Sequence, residues 1–390
     1  MALAPWRYWA ELARGWFGHP FSPLIHLPLA KRLAASSDVF LRVTERYGKP
    51  KWNIPEAVPE VALAKPFCNL VHFRQPHAKK TKVLVVAPLS GHHATLLRDT
   101  VRALLAEHDV WITDWVNARL VPLTAGPFHL DDYVDYVRDW IRFLSNENSS
   151  AIHVVSVCQP TVPVLAAVSL LAANRDVQPR TMTMMGGPID ARRSPTAVNN
   201  LARKKAYSWF ERNVIARVPS KYPGYMRRVY PGFLQHLGFV AMNPDRHLIA
   251  HWDYYHKLVL GDGESAAAHR RFYDEYNAVL DMPAEYYLDT VKTVFQDYAL
   301  PKGRMFVRGE LVRPQAIRDT ALLTIEGELD DISGNGQTEA AHLLCLSIPR
   351  DEREHYLAPG AGHYGIFSGR KYRDTIYPQI RDFIRRWVAV

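Results

Sequence analysis

Apolar residues along the chain fall into two rhythms. Lys82-Val83-Leu84-Val85-Val86-Ala87-Pro88 is a short continuous apolar run, the pattern of a strand buried on both faces of a parallel sheet. Asp109-Val110-Trp111-Ile112-Thr113, the run from Ala151 to Val157, and Thr181-Met182-Thr183-Met184-Met185 repeat it. Between these runs, apolar residues recur every three or four positions, which predicts helices over 96–105, 130–144 and 161–173. In the second of these, Tyr133, Val137, Trp140, Ile141 and Leu144 share one face. Alternating strand and helix units predict an α/β fold, a mostly parallel central sheet covered by helices on both faces.

Gly186-Gly187-Pro188-Ile189-Asp190 breaks the alternation. From about 191 to 317 the sequence loses strand-like runs and turns helical, basic and aromatic, with Trp209, Phe210, Tyr230, Phe233, Phe239, Trp252, Tyr254, Tyr273 and Tyr286 among its rings. This stretch is expected to be an inserted helical cap. The alternation resumes with a strand over Ala321 to Glu326, another over Arg353 to Leu357, and an amphipathic helix from Tyr372 to Val388. The expected core is therefore 76–190 together with 318–390. Residues 1–75 form an aromatic, proline-punctuated lead-in in which Trp9, Leu12 and Trp16 recur at helical spacing, followed by Phe17, Phe21 and Pro23-Leu24-Ile25. Such a stripe is expected to pack on its own domain, since aromatic stripes are usually core; insertion at an apolar surface is the alternative.

A chain of 390 residues has room for one large domain with an insertion, or for two domains. Lys and Arg number 48 against 39 Asp and Glu, a formal net charge of +9, yet basic residues form only short clusters such as Lys79-Lys80 and Arg192-Arg193. That mild balance suits an anionic surface or substrate and gives no indication of nucleic-acid binding. The three cysteines, Cys68, Cys158 and Cys345, are odd in number and widely spaced, which argues against a disulfide framework or a zinc site and for a reducing compartment. Charged residues among the first turns do not read as a secretory signal, and no window has the roughly 18 uninterrupted apolar residues of a membrane span. A soluble protein of the cytoplasm is expected.

Ser156-Val157-Cys158-Gln159-Pro160 joins a predicted strand to a predicted helix, the setting of a nucleophile elbow. There the tight turn projects Cys158 away from both elements and leaves the next N–H, that of Gln159, facing an oxyanion. Ser156 and Pro160 replace the glycines of the usual G-x-S-x-G; serine is small, and proline is tolerated in a first helical turn. A buried structural cysteine is the other reading of the pentapeptide alone. Two later loops complete an acyl-transfer site, both just beyond predicted strands, where open α/β sheets bind ligands. Pro359-Gly360-Ala361-Gly362-His363-Tyr364-Gly365 offers His363 as the base for the thiol. Gly327-Glu328-Leu329-Asp330-Asp331 offers an acid to hold the imidazole. Asp330, third after Gly327 at the first exposed turn, is preferred to Asp331, although either suits a helix cap. A second oxyanion donor is expected from the turn Leu89-Ser90-Gly91, at Ser90. His92 and His93 fit a supporting or an oxyanion-binding role or equally a solvated loop, and Cys68 and Cys345 read as structural. No metal or cofactor is required by this set.

The chain resembles the intracellular poly(3-hydroxybutyrate) depolymerases, relatives of the polyhydroxyalkanoate synthases within the α/β-hydrolases. The resemblance spans nearly the whole length and rests on Ser-Val-Cys-Gln-Pro at 156–160, Met-Gly-Gly-Pro-Ile-Asp at 185–190, Glu-Gly-Glu-Leu-Asp-Asp-Ile-Ser-Gly at 326–334 and Gly-His-Tyr-Gly-Ile-Phe-Ser-Gly at 362–369. It implies Cys158 as nucleophile, Asp330 as acid and His363 as base. It also implies no metal or other cofactor, and amorphous polymer in cytoplasmic storage granules as substrate and partner. A synthase, which moves hydroxyacyl groups from coenzyme A onto a growing chain, tends to place glycines around the nucleophile where this chain has Ser156 and Pro160. A non-catalytic granule-coat protein on the same fold is a third reading, against which the complete Cys158, Asp330 and His363 set argues.

Overall fold

The computed structural model describes residues 3–388 apart from 20, 25, 26, 46, 78, 80, 147–151 and 243. Ile25, Lys80 and Ala151, part of the patterns above, lie outside the described residues. By internal contacts the chain divides into two units, Lys51–Leu234 with Leu280–Val390, and Met1–Pro50 with Gln235–Val279.

In the first unit, eight strands form one sheet: β1 (Val58–Ala64), β2 (Cys68–Arg74), β3 (Lys82–Val86), β4 (Asp109–Trp115), β5 (Ile152–Val157), β6 (Thr181–Met185), β7 (Ala321–Gly327) and β8 (Arg353–Ala358). Their spatial order is β1-β2-β4-β3-β5-β6-β7-β8. β1 and β2 pair antiparallel, as do β2 and β4; every later pairing is parallel. The pleat sorts the apolar runs into two layers. Leu84, Val154, Met182 and Leu322 pack with Tyr133, Val137, Trp140 and Leu144 of the helix Leu130–Asn146 and with the helix Thr161–Ala173. Val83, Val85, Val155 and Ile325 pack on the other face with Val101 and Leu104 of the helix Arg98–Leu105 and Ile380 and Phe383 of the helix Tyr377–Arg386. This is the mostly parallel α/β fold expected from the alternation, and the α/β-hydrolase fold that the resemblance implies, with chemistry-bearing loops at the carboxyl ends of β3, β5, β7 and β8.

Two local expectations fail for identifiable reasons. The aromatic, proline-punctuated lead-in, in which no strand is expected, supplies β1 and β2. β1 is exposed along most of its length, pairs on one side, carries Pro59 and bulges between Val61 and Leu63, so it lacks the pattern of a buried strand. The last helix is not continuous from Tyr372: wide π turns occupy Tyr372–Ile376 and a regular helix begins at Tyr377. Pro378 sits in its first turn, where the missing N–H removes no needed bond but prevents the preceding turns from joining the same ladder. Short strand pairs also occur within 191–317, Ala216–Arg217 with Arg228–Tyr230 and Met282–Pro283, and Phe306–Val307 with Glu310–Leu311.

In the second unit the helix Ala4–Gly18 packs on Pro28–Val43, which packs on Pro244–Leu260, which in turn meets Gly263–Tyr276. The stretch 191–317 expected as one cap is thus divided between the two units. The second unit's interior is unusually polar. Asp38 is buried, accepts from the Tyr254 hydroxyl and pairs with Arg14 at 3.3 Å, while Arg270 donates to Tyr254 at 2.7 Å. His269 stacks on Tyr254 at 4.3 Å. Among the described residues no helix is long and apolar enough to cross a membrane.

Candidate active site

β5 delivers the chain into the elbow with every residue buried. Cys158 then adopts φ +68°, in the left-handed region, a conformation that costs a non-glycine residue about 1–3 kcal/mol and persists only when its surroundings fix it. They do so here. The Cys158 N–H donates to the Met185 carbonyl at 2.7 Å, and its own carbonyl accepts from Thr161 N–H at 3.2 Å, opening the helix Thr161–Ala173. Gly187 packs so closely that a Cβ there would stand 2.5 Å from the Cys158 carbonyl oxygen and 1.9 Å from Thr161 Oγ1. The motif Met-Gly-Gly-Pro at 185–188 is therefore the floor of the elbow, a role its position on a different strand concealed.

Gly187 is held in turn by Thr338, whose Oγ1 accepts from the Gly187 N–H at 2.8 Å and donates to the Gly187 carbonyl at 3.0 Å. The loop bearing Thr338 hangs on one buried carboxylate. Glu326 accepts from the N–H groups of Gly336, Thr338 and Glu339 at 2.7, 2.6 and 2.9 Å.

The loops after β7 and β8 bring the other expected residues to the thiol. Asp330 Oδ2 accepts from His363 Nδ1 at 2.7 Å, and both side chains are sealed from solvent, at 0% and 4% exposure. Asp330 Oδ1 accepts from the N–H groups of Ile332 and Ser333 at 2.9 and 2.8 Å, so the carboxylate is fixed by three donors. Asp331 is exposed. Cys158 lies near enough to the imidazole to act on its charge. Burial by itself disfavours a charged His363, but the attraction of Asp330 and Cys158 and the hydrogen bond to Asp330 outweigh it, holding the imidazole pKa well above its ordinary 6.5. Gly186, at φ +56°, makes room for the pair: a Cβ there would lie 3.3 Å from Asp330 Oδ2 and 3.4 Å from His363 Cε1.

Gln159 follows the thiol, 9% exposed, and Ser90 lies in the turn after β3, the strand beside β5. The backbone N–H groups of Gln159 and Ser90 make no backbone hydrogen bond among the described residues. The Ser90 turn is anchored at Ala87, whose carbonyl accepts from Trp115 Nε1 at 2.8 Å and from the Tyr133 hydroxyl at 2.9 Å. Tyr133 and Tyr286, stacked at 5.6 Å and fully buried, lie near Cys158, and burial holds both hydroxyls well above their ordinary 10. Helical periodicity marked Tyr133 as core, and nothing in the sequence places either ring beside residue 158. His92 is buried with its ring 6.2 Å from Tyr364, the neighbour of His363, and His93 is buried as well. Cys68 and Cys345 are fully buried, and burial pushes the Cys345 thiol up to about 12. Among the described residues no three His, Cys, Asp or Glu side chains are grouped to hold a metal ion.

A thiol, an imidazole and a carboxylate brought to one end of the sheet form an array able to attack a carbonyl and shuttle the proton involved. Similar solved structures include a thermophilic esterase from Thermogutta terrifontis, at 13% identity and TM-score 0.45 over 85% of this chain and 99% of that one. Others are a carboxyl esterase 2 from Tuber melanosporum (12%, 0.45, 88% and 90%) and a bromoperoxidase from Bacillus anthracis (11%, 0.44, 82% and 96%). Identities this low carry no chemistry across. No curated protein matches the chain. The family model described as PHB de-polymerase C-terminus matches residues 186–388. That match takes in the elbow floor, both loops that hold the Asp330 and His363 pair, and more than half of the chain, which therefore belongs to the PHB depolymerase family, carboxylic ester hydrolases.

Proposed function

We propose that the chain hydrolyses the ester bonds of stored poly(3-hydroxybutyrate) through a thioester on Cys158, working in the cytoplasm on polymer granules. The observation that carries this reading is the imidazole of His363 bonded to a buried carboxylate and interacting with a thiol presented at a strained turn. The raised imidazole pKa favours imidazolium, the acid that the departing hydroxyl end of the chain requires.

In the first half-reaction Cys158 Sγ bonds to the carbonyl carbon, and the oxyanion is met by the N–H groups of Gln159 and Ser90. The carbon–oxygen bond of the ester then breaks, and the His363 imidazolium gives its proton to the departing hydroxyl end of the chain. In the second half-reaction water attacks the thioester carbonyl while His363 takes its proton. The carbon–sulfur bond breaks, releasing a 3-hydroxybutyrate monomer or oligomer and returning the sulfur to the imidazolium. Asp330 holds the imidazole in the tautomer that both halves require and stabilises its charge.

The test compares wild type with Cys158→Ala on amorphous poly(3-hydroxybutyrate). The variant is expected to hold granules as wild type does while releasing acid at least about 10³-fold more slowly, the scale for removing a covalent nucleophile. Equal acid release by the two proteins would end the proposal.

A further inference from the structure

The unit formed by Met1–Pro50 and Gln235–Val279 is built with its polarity reversed. The helix Ala4–Gly18 has no buried residue, and Trp6, Trp9 and Trp16 are 67, 65 and 70% exposed. Trp9, Leu12 and Trp16 follow at the spacing that places side chains on one helix face. The two arginines, a heptad apart, are turned to the protein instead: Arg7 donates to the Leu41 carbonyl and to Thr44 Oγ1, both at 2.8 Å, and Arg14 pairs with Asp38. A surface helix whose only neighbour were water would be arranged the other way round. The helix Pro244–Leu260 repeats the inversion, burying Tyr254 while Leu248, Ile249 and Trp252 stand 69, 60 and 63% exposed. The stripe anticipated as core in the sequence is therefore an outward face.

We propose that this unit is the surface by which the enzyme holds its polymer, an uncharged aliphatic polyester, through Trp9 and Trp16 on one helix and Leu248 and Trp252 on the other. The inference rests on the preceding reading that the substrate is a water-insoluble polyester. Charge selects this occupant over an anionic lipid surface. The tryptophan face carries no charged side chain, and the basic residues of its helix are spent on intramolecular bonds. Among the described side chains of that helix the exposed charged ones are Asp245 and Asp253, both acidic. An anionic headgroup layer attracts lysine and arginine and repels such carboxylates, whereas the methyl and methylene groups of a polyester ask only for apolar area and flat rings.

The experiment measures cosedimentation with lipid-free amorphous poly(3-hydroxybutyrate) particles, in a Cys158→Ala background so that the polymer is not consumed. Trp9→Ser/Trp16→Ser is expected to bind at least tenfold more weakly. The same pair in the Cys158-intact chain is expected to hydrolyse a soluble 3-hydroxybutyrate dimer ester within twofold of wild type. Unchanged particle binding would overturn the proposal. So would binding to phosphatidylglycerol vesicles in preference to particles, or a change in sedimentation mass between wild type and variant with particle binding unaltered. Should circular dichroism show that the tryptophan pair does not fold, Leu248→Ser/Trp252→Ser decides by the same readings. A wild-type chain that sediments with particles but leaves the soluble ester intact would refute the hydrolytic reading and leave the docking surface standing.

Discussion

Replacing Asp330 by asparagine changes one atom, and the structure dictates how the site responds. Oδ1 accepts from two backbone N–H groups and Oδ2 from His363 Nδ1. An asparagine has one oxygen to offer. Turning its NH₂ toward Ile332 and Ser333 would oppose buried donors, at about 1–3 kcal/mol for each one left unpaired, so the oxygen stays on the backbone side and the NH₂ faces the imidazole. Nδ1 must then accept, the ring proton moves to Nε2, and His363 has no lone pair for the thiol. Loss of the charge-assisted bond alone, about 1.5–3 kcal/mol, slows the reaction about 10- to 150-fold; with the wrong tautomer added, kcat is expected to fall about 10²- to 10⁴-fold. KM for a soluble oligomer should change little, since Asp330 is sealed beneath the imidazole. The pH profile supplies a second reading. Asp330 is among the groups that raise the His363 pKa, so its removal lowers that pKa and the alkaline limb of kcat/KM moves to lower pH. Acid release from oligomers, measured by coupled oxidation of 3-hydroxybutyrate across pH, gives both quantities. An asparagine variant with more than half the wild-type kcat, or with an unmoved alkaline limb, would refute the reasoning.

Gly187→Ala should abolish hydrolysis even though the glycine touches no substrate, because its Cβ would force Thr161 and the Cys158 carbonyl aside; a loss of less than tenfold in kcat, by the same assay, would contradict this. Iodoacetamide at neutral pH is expected to modify Cys158 and spare Cys345, fully buried with its thiol pushed up to about 12, and Cys68, also fully buried; peptide mass spectrometry reads the outcome. Burial holds His153 down to about 3 and His108 and His342 to about 4. These rings are neutral in the fold, so the stability they allow is present above 6.5 and is lost as pH falls from there toward those values, at about 1.4 kcal/mol per unit for each titrating group. His363 has the opposite sign: its contribution is complete below 6.5 and is lost as pH rises through its raised value. Calorimetry should show the melting temperature dropping steeply between pH 6.5 and 4, and a flat profile would contradict it.

The sheet core was legible because β3 to β7 are buried on both faces and read as continuous apolar runs. The meeting of Cys158, Asp330 and His363 was legible because the first two follow such runs, His363 follows the edge strand β8, and the fold brings the carboxyl ends of β5, β7 and β8 together. β1 escaped because an exposed edge strand with a proline has no buried pattern to display. The support of the elbow escaped for another reason: Glu326, Thr338 and Gly187 act through backbone contacts across two strands, and Tyr133 and Tyr286 meet Cys158 only in three dimensions. The association of residues 1–50 with 235–279 is likewise long-range, and periodicity revealed the tryptophan stripe but not the direction it faces.

The central claim is that ester cleavage passes through the Cys158 sulfur, activated by His363. Mixing the enzyme with a soluble 3-hydroxybutyrate oligomer, quenching in acid within the first turnover and mapping the peptides by mass spectrometry tests it directly. The account predicts one hydroxybutyryl increment on the peptide containing Cys158, removed by hydroxylamine and lost in His363→Ala. Product formed in a burst with no acyl group on that peptide would contradict it.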